Sequence, residues 1–336
     1  MTPVMSHLSH GCRRICAYAL LTVLGLGASA AALAAPDCAR QPAAAPALAR
    51  LSRVMATGRY VAYQPTQIRI IDGQASRADE AGITADLTVL RPHFDGLITY
   101  SVGNGADRVV DVAARLGFRA VILGVWNIDD EQELSLVRAA IARHPQLIVG
   151  LSLGNERILA GTTDMNQLAQ RIQRLRSRLP ALPLTSTEPF HLWLQPAAVA
   201  VLRNADFLLA NVHPAFQPWF READDFNAAK FVVNVTAQLA AVFCGPVLVK
   251  ETGVPTAPAD RGFTAERQAS FYQSLKNQLK PDERRAFAWF SAFDAAWRVN
   301  DSHPTAGPQP QEGSWGLYTE DRKPKLVIGQ LSPLMR

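Results

Sequence analysis

Cysteine is scarce in this chain, with four in 336 residues, and two of them, Cys12 and Cys16, fall in the first apolar run. So few cannot build a disulfide scaffold. No Cys/His cluster with ligand spacing occurs, so no metal site is expected. One-signed charge is also thin: 34 basic residues face 29 acidic ones, scattered along the chain. The exception is Arg171, Arg174, Arg176 and Arg178 in "RIQRLRSRLP", whose helical spacing suits the solvated face of an outer helix. Nucleic acid is therefore not an expected partner. A dinucleotide cofactor is not expected either. Gly103 and Gly105 in "SVGNGADRVV" lack the third glycine of the fingerprint, where Arg108 stands, so this is a flexible βα loop. Internal repeats are absent, and no segment after the first apolar run is long enough to span a bilayer.

The N-terminus carries a targeting pattern. Arg13 and Arg14 precede "ICAYALLTVLGLGASAAALA", no acidic residue comes before Asp37, and Ala32-Leu33-Ala34 offers a small-x-small cleavage site. Residues 1–34 are expected to be a secretory signal peptide, giving a periplasmic or extracellular protein with no stable membrane insertion. The alternative is an uncleaved signal that anchors the protein, since the run is nearly long enough to span a bilayer. Loss of Arg13 and Arg14 lowers the net charge from +5 to +3. Residues 35–54, including the low-complexity "QPAAAPALARL", are expected to form an arm, and 55–336 a single domain. Cys38 and Cys244 remain, and an exported protein could pair them to tie the arm to the body.

Through the mature chain, short β-branched or aromatic runs alternate with helical patterns. The strands expected are "YVAYQ", "GLITYS", "AVILGVW", "LIVGLSLGN", "LPLTSTE", "ADFLLANV", "GPVLVKET" and "AFAWFSAF". Segments such as "ADRVVDVAARLG", "EQELSLVRAAIARH" and "DMNQLAQRIQRLRSRL" repeat apolar residues at the helical period. Strands that are apolar on nearly every residue belong to parallel sheets covered on both faces. Eight such units over this length predict an α/β fold, a (β/α)8 TIM barrel, with its chemistry on the loops at the C-terminal strand ends. The strand ends carry Tyr100, Trp126, Asn155 with Glu156, Glu188, Asn211 with His213, Glu251, and Phe293 with Asp294. Carboxylates and aromatics at one rim suit carbohydrate cleavage.

The stretch "VGLSLGNERIL" offers two chemistries. Gly150-Leu151-Ser152-Leu153-Gly154 spells the G-x-S-x-G of a serine nucleophile elbow, and a late Asp294 and His303 could complete a triad. That elbow needs a helix directly after the serine, whereas the apolar run continues and the next helix start is near Thr163 and Asp164. Glu156 and Glu251 are the stronger pair, each ending an apolar strand, and retaining glycosidases use two such carboxyls. Strand alternation would send Lys250 to the opposite face from Glu251, toward the helices and away from it.

At these residues the chain resembles glycoside hydrolase family 17, the β-1,3-glucanases and related bacterial glucanosyltransferases. "GNERIL" is similar to the family's G-N-E-V acid/base segment, and "KETGVPT" to its E-[ST]-G-W-P nucleophile segment. "FSAFDAAWR" resembles F-E-A-F-D-x-x-W-K, and "SWGLYTEDRKPK" the W-G-L-F ending. The resemblance implies a β-linked glucan substrate, Glu156 as acid/base, Glu251 as nucleophile and no cofactor. It also implies Asn155 bonding a sugar hydroxyl, Tyr100 near the nucleophile, and Trp126 and Trp315 stacking on sugar. Val254, Ser291 and Ala215 depart from the family pattern, although Phe216 follows Ala215 as a substitute aromatic. Such changes could reshape the sugar subsites, so a barrel that binds glucan at the cell envelope without cleaving it is the second reading.

Overall fold

The computed structural model describes residues 41–71, 73–301 and 308–334. The proposed signal, Cys38 and His303 lie outside the described residues. Eight parallel strands close into a barrel. They are β1 (Tyr60–Ala62), β2 (Gly96–Ile98), β3 (Ala120–Val125), β4 (Ile148–Asn155), β5 (Leu184–Pro189), β6 (Leu208–Asn211), β7 (Val247–Glu251) and β8 (Arg285–Trp289). Each overlaps one of the eight apolar runs, and nearly every strand residue is buried, as expected where sheet interior and helix layer cover both faces. Outer helices lie between them. Among the described residues, no helix is long and apolar enough to cross a membrane.

Helix starts follow the local chemistry. Asp164 caps the helix Met165–Arg178 by accepting from Asn166 and Gln167 N–H, and Asp130 caps Glu131–Arg143 through Gln132 N–H. The arginine run is not wholly solvated: Arg176 reaches the buried Asp206 at 2.9 Å.

The expected arm is corrected in its second half. Residues Ala45–Thr57 form a helix, α1, that buries Leu48, Leu51, Val54 and Met55 at the helical period. These side chains cluster with Tyr60, Ile98, Ile122, Phe207 and Leu248 of the lower barrel, so α1 plugs its N-terminal end. Alanine and proline had diluted the apolar stripe. Gly150 has a packing role in that layer: a Cβ there would lie 2.7 Å from Phe207. Gly154 has φ +79°, in the region that favours glycine, where β4 loses register with β5.

Candidate active site

Ser152 lies mid-strand, 1% exposed, with its Oγ 2.9 Å from Thr187 Oγ1. The next helix of any length begins at Met165, so the strand-to-helix elbow is not formed. Irregular backbone follows instead. After Gly154, Glu156 itself takes φ +54°, and its N–H bonds the Thr187 carbonyl at 2.8 Å. This non-glycine left-handed residue turns Glu156 out of the strand plane at the barrel mouth.

A cleft of about 1370 Å³ runs across that mouth. Asn155, Glu156 and Glu251 lie on it together with Tyr100, Trp126, His213, Phe216 and Trp315. Asn211 Nδ2 donates to Glu156 Oε1 at 2.8 Å. Tyr100 Oη donates to Glu251 Oε1 at 2.9 Å, and His213 Nε2 stands 3.4 Å from Oε2. Trp126 is 56% exposed and Phe216 41%, whereas Trp315 is 2% exposed, wedged against His213 and Phe290. Trp126 and Phe216 thus offer open surface to the cleft, whereas Trp315 is almost wholly covered.

Three expected contact residues face elsewhere. Glu188 is fully buried and accepts from the N–H groups of Ile158 and Leu159, tying down the turn after Glu156. Phe293 is buried edge-on to Tyr63 and packed against Tyr318. Asp294 is held by Lys325 Nζ at 2.6 Å and by Gly316 N–H. Position at a strand end put them on the rim, but each carboxylate or ring is turned into supporting structure. Val254 is also buried in the core.

Lys250 requires a correction. Between β6 and β7 the register passes from Ala210↔Val249 to Asn211↔Glu251, so two residues of β7 oppose one of β6. This bulge breaks the two-residue alternation, and Lys250 turns inward beside Glu251. Its Nζ donates to Asn155 Oδ1 at 2.7 Å, lies 3.5 Å from Glu251 Oε1, and sits 3.9 Å from the Tyr100 ring centroid.

Further cleft residues escaped the sequence reading. Arg298, at the end of the quoted "FSAFDAAWR", and Glu312, three residues before Trp315, both line the cleft. Glu133 accepts from Ser101 Oγ and from the N–H groups of Val102, Trp126 and Asn127, clamping two loops together. Its place in an ordinary amphipathic helix gave no signal.

The two glutamates are driven apart electrostatically. Burial, and then the charge of Glu251, push Glu156 above the usual carboxylate range. Burial also works against a charge on Glu251, but Lys250, His213 and Arg298 overcome it and hold that carboxyl down to about 2. The two carboxyls on one cleft are therefore shifted in opposite directions, Glu156 holding its proton more tightly than an ordinary glutamate and Glu251 less.

A parallel barrel with such a pair, an Asn-Glu tandem and aromatic walls along one open groove has the make-up of a glycosidase. A family model for the BtgE/BtgC glycoside hydrolase domain matches residues 60–316, and the chain belongs to that family. It is 25% identical over 277 residues to a glucan 1,3-β-glucosidase of Arthroderma benhamiae, covering 76% of this chain and 86% of that protein. It is 27% identical over 179 residues to a probable β-glucosidase of Emericella nidulans, covering 52% of this chain and 31% of that protein. Among solved structures, the glycoside hydrolase family 17 β-1,3-glucanosyltransferase of Rhizomucor miehei superposes with a TM-score of 0.60 at 21% identity, covering 80% of this chain and 95% of that one. An endo-laminarinase from Formosa superposes with a TM-score of 0.65 at 18% identity, covering 81% and 86%. These two likenesses establish the shared barrel.

Proposed function

We propose that this chain is an exported retaining glycoside hydrolase or transglycosylase of β-1,3-linked glucan. Glu251 attacks the anomeric carbon as Glu156 protonates the departing glycosidic oxygen, leaving a glucosyl ester on Glu251. Glu156, now ionised, takes a proton from the acceptor, which displaces Glu251 and restores both carboxyls. Water as acceptor gives hydrolysis, and a sugar hydroxyl gives transfer. Asn155 is assigned to a hydroxyl of the sugar undergoing reaction, and Trp126 and Phe216 to sugar faces further along the groove.

The observation that carries this reading is the opposed pair: Glu251 ringed by Tyr100, His213 and Lys250, Glu156 held by a neutral amide. The groove supports a chain substrate, since it exceeds the size usual for small-molecule sites. The activities named for its relatives, glucan 1,3-β-glucosidase and β-1,3-glucanosyltransferase, support the β-1,3 linkage. Export rests on the pattern in residues 1–34.

The test is product analysis after incubation with β-1,3- and β-1,6-gluco-oligosaccharides. Shorter products alone indicate hydrolysis, and shorter with longer ones indicate transfer. Binding without any new product rejects the catalytic proposal in favour of a glucan-binding barrel.

A further inference from the structure

A lysine is an expensive residue to place beneath an active site. Its side chain is 1% exposed, and an ammonium removed from water costs several kcal/mol unless its surroundings replace the lost hydration. Here the replacement is complete in kind: an amide oxygen, an aromatic face and a carboxylate surround Nζ. All three partners come from residues assigned to the reaction, on three different strand ends. The β7 bulge is what makes the contact possible, because an unbroken strand would have pointed Lys250 at the helices.

The chemistry of the contact is directional. An ammonium only donates, so Asn155 must turn Oδ1 toward Lys250 and keep Nδ2 as its outward edge. That leaves a pure donor to meet a sugar hydroxyl, with the flipped amide excluded. On the other side, Nζ and Tyr100 Oη approach the same oxygen of Glu251, while His213 approaches the other. Burial lowers Lys250 from the ordinary lysine range; of the charged groups around it, Glu251 and Glu156 at the end of β4 favour its charge, and Arg298 beyond β8 opposes it.

We propose that Lys250 is a positioning residue of this site, locking the Asn155 amide in one orientation and fixing the Glu251 carboxylate against Tyr100. The proposal rests on the assignment of Glu251 as nucleophile. It predicts that loss of the ammonium damages turnover more than binding and shifts the titration of the nucleophile.

The experiment compares Lys250→Met, Lys250→Gln, Asn155→Ala and the double variant Lys250→Met/Asn155→Ala on a β-1,3-gluco-oligosaccharide. Lys250→Met should lose about a hundredfold or more in kcat with little change in KM, as expected for a charge-assisted contact at the reacting centre. Its acid limb in kcat/KM should rise by about one pH unit or more, because the neighbouring cation has gone. Lys250→Gln keeps an N–H donor without charge, so it should show the same limb shift with a smaller loss in kcat. Asn155→Ala should cost less in the Lys250→Met background than in the wild type, since the two act as a unit. A Lys250→Met enzyme with wild-type kcat and pH profile overturns the proposal, as do fully multiplicative losses with an unmoved acid limb. Should Lys250→Met fail to fold, the limb position in Lys250→Gln decides. Glu251→Ala, assayed alongside, separates the two levels: an active Glu251→Ala rejects the nucleophile assignment itself. A dead Glu251→Ala beside a normal Lys250→Met rejects only the role of the lysine.

Discussion

Glu156→Gln removes a proton and little else. The amide keeps the length and shape of the side chain, and its carbonyl can still accept from Asn211 Nδ2, now at 2.8 Å from Oε1. The backbone at φ +54°, tied to Thr187, does not depend on ionisation. The expected loss is therefore that of general acid catalysis alone, about 10²- to 10⁴-fold on oligosaccharides whose leaving group needs protonation. At about 1.4 kcal/mol per decade this is about 3–5 kcal/mol of transition-state stabilisation. The pH profile adds a second signature. On the proposed mechanism the first step needs Glu156 protonated and Glu251 ionised, so kcat/KM should fall on the acid side as Glu251 takes up a proton. It falls on the basic side as Glu156 loses one. The raised Glu156 places that basic limb above the ordinary carboxylate value of 4.5, and the variant should lack the limb altogether. The assay is initial-rate hydrolysis of laminari-oligosaccharides across pH. A variant within tenfold of wild type, or one that retains the basic limb, refutes the acid assignment.

Other predictions concern the frame. Ser152→Ala should keep activity within about tenfold and cost about 1–2 kcal/mol, because only the hydrogen bonds to Thr187 and to the Gly154 carbonyl are lost; a folded but inactive variant would restore the serine mechanism. Leu51→Ala should destabilise by about 3 kcal/mol, since its side chain is wholly buried in the plug under the barrel, and a chemical denaturation midpoint shifted by less than a third of that would show α1 to be dispensable. Burial pushes Glu188 up to about 7 against the pull of the Ile158 and Leu159 N–H groups. Its contribution to stability is then fully present below about 4.5 and lost as pH rises through 7, an upper limit of about 3 kcal/mol. Glu188→Gln should flatten the pH dependence of stability in that window, and an unchanged slope would reject the buried-acid account.

The barrel was legible because both faces of every strand are covered, so the strands read as unbroken apolar runs separated by helical patterns. The cleft was legible in its carboxylates, since Glu156 and Glu251 each terminate such a run. Orientation was less so. Lys250 was assigned outward by alternation that a one-residue bulge cancels, and no residue type marks that bulge. Glu188, Phe293 and Asp294 end strands as Glu251 does, yet local partners turn them into the frame. Helix α1 was hidden because its buried Leu48, Leu51, Val54 and Met55 follow an alanine- and proline-rich stretch that resembles a linker.

The proposed mechanism requires above all that Glu251 bond covalently to the sugar during the reaction. Proton NMR of the newly formed reducing end, on the sugar freed from Glu251, reads this directly during hydrolysis of a β-1,3-gluco-oligosaccharide, provided spectra are taken before the anomers equilibrate. Two displacements at one carbon return the β-anomer, and that is the predicted product. Initial release of the α-anomer would mean a single displacement by water, with Glu251 a base and not a nucleophile.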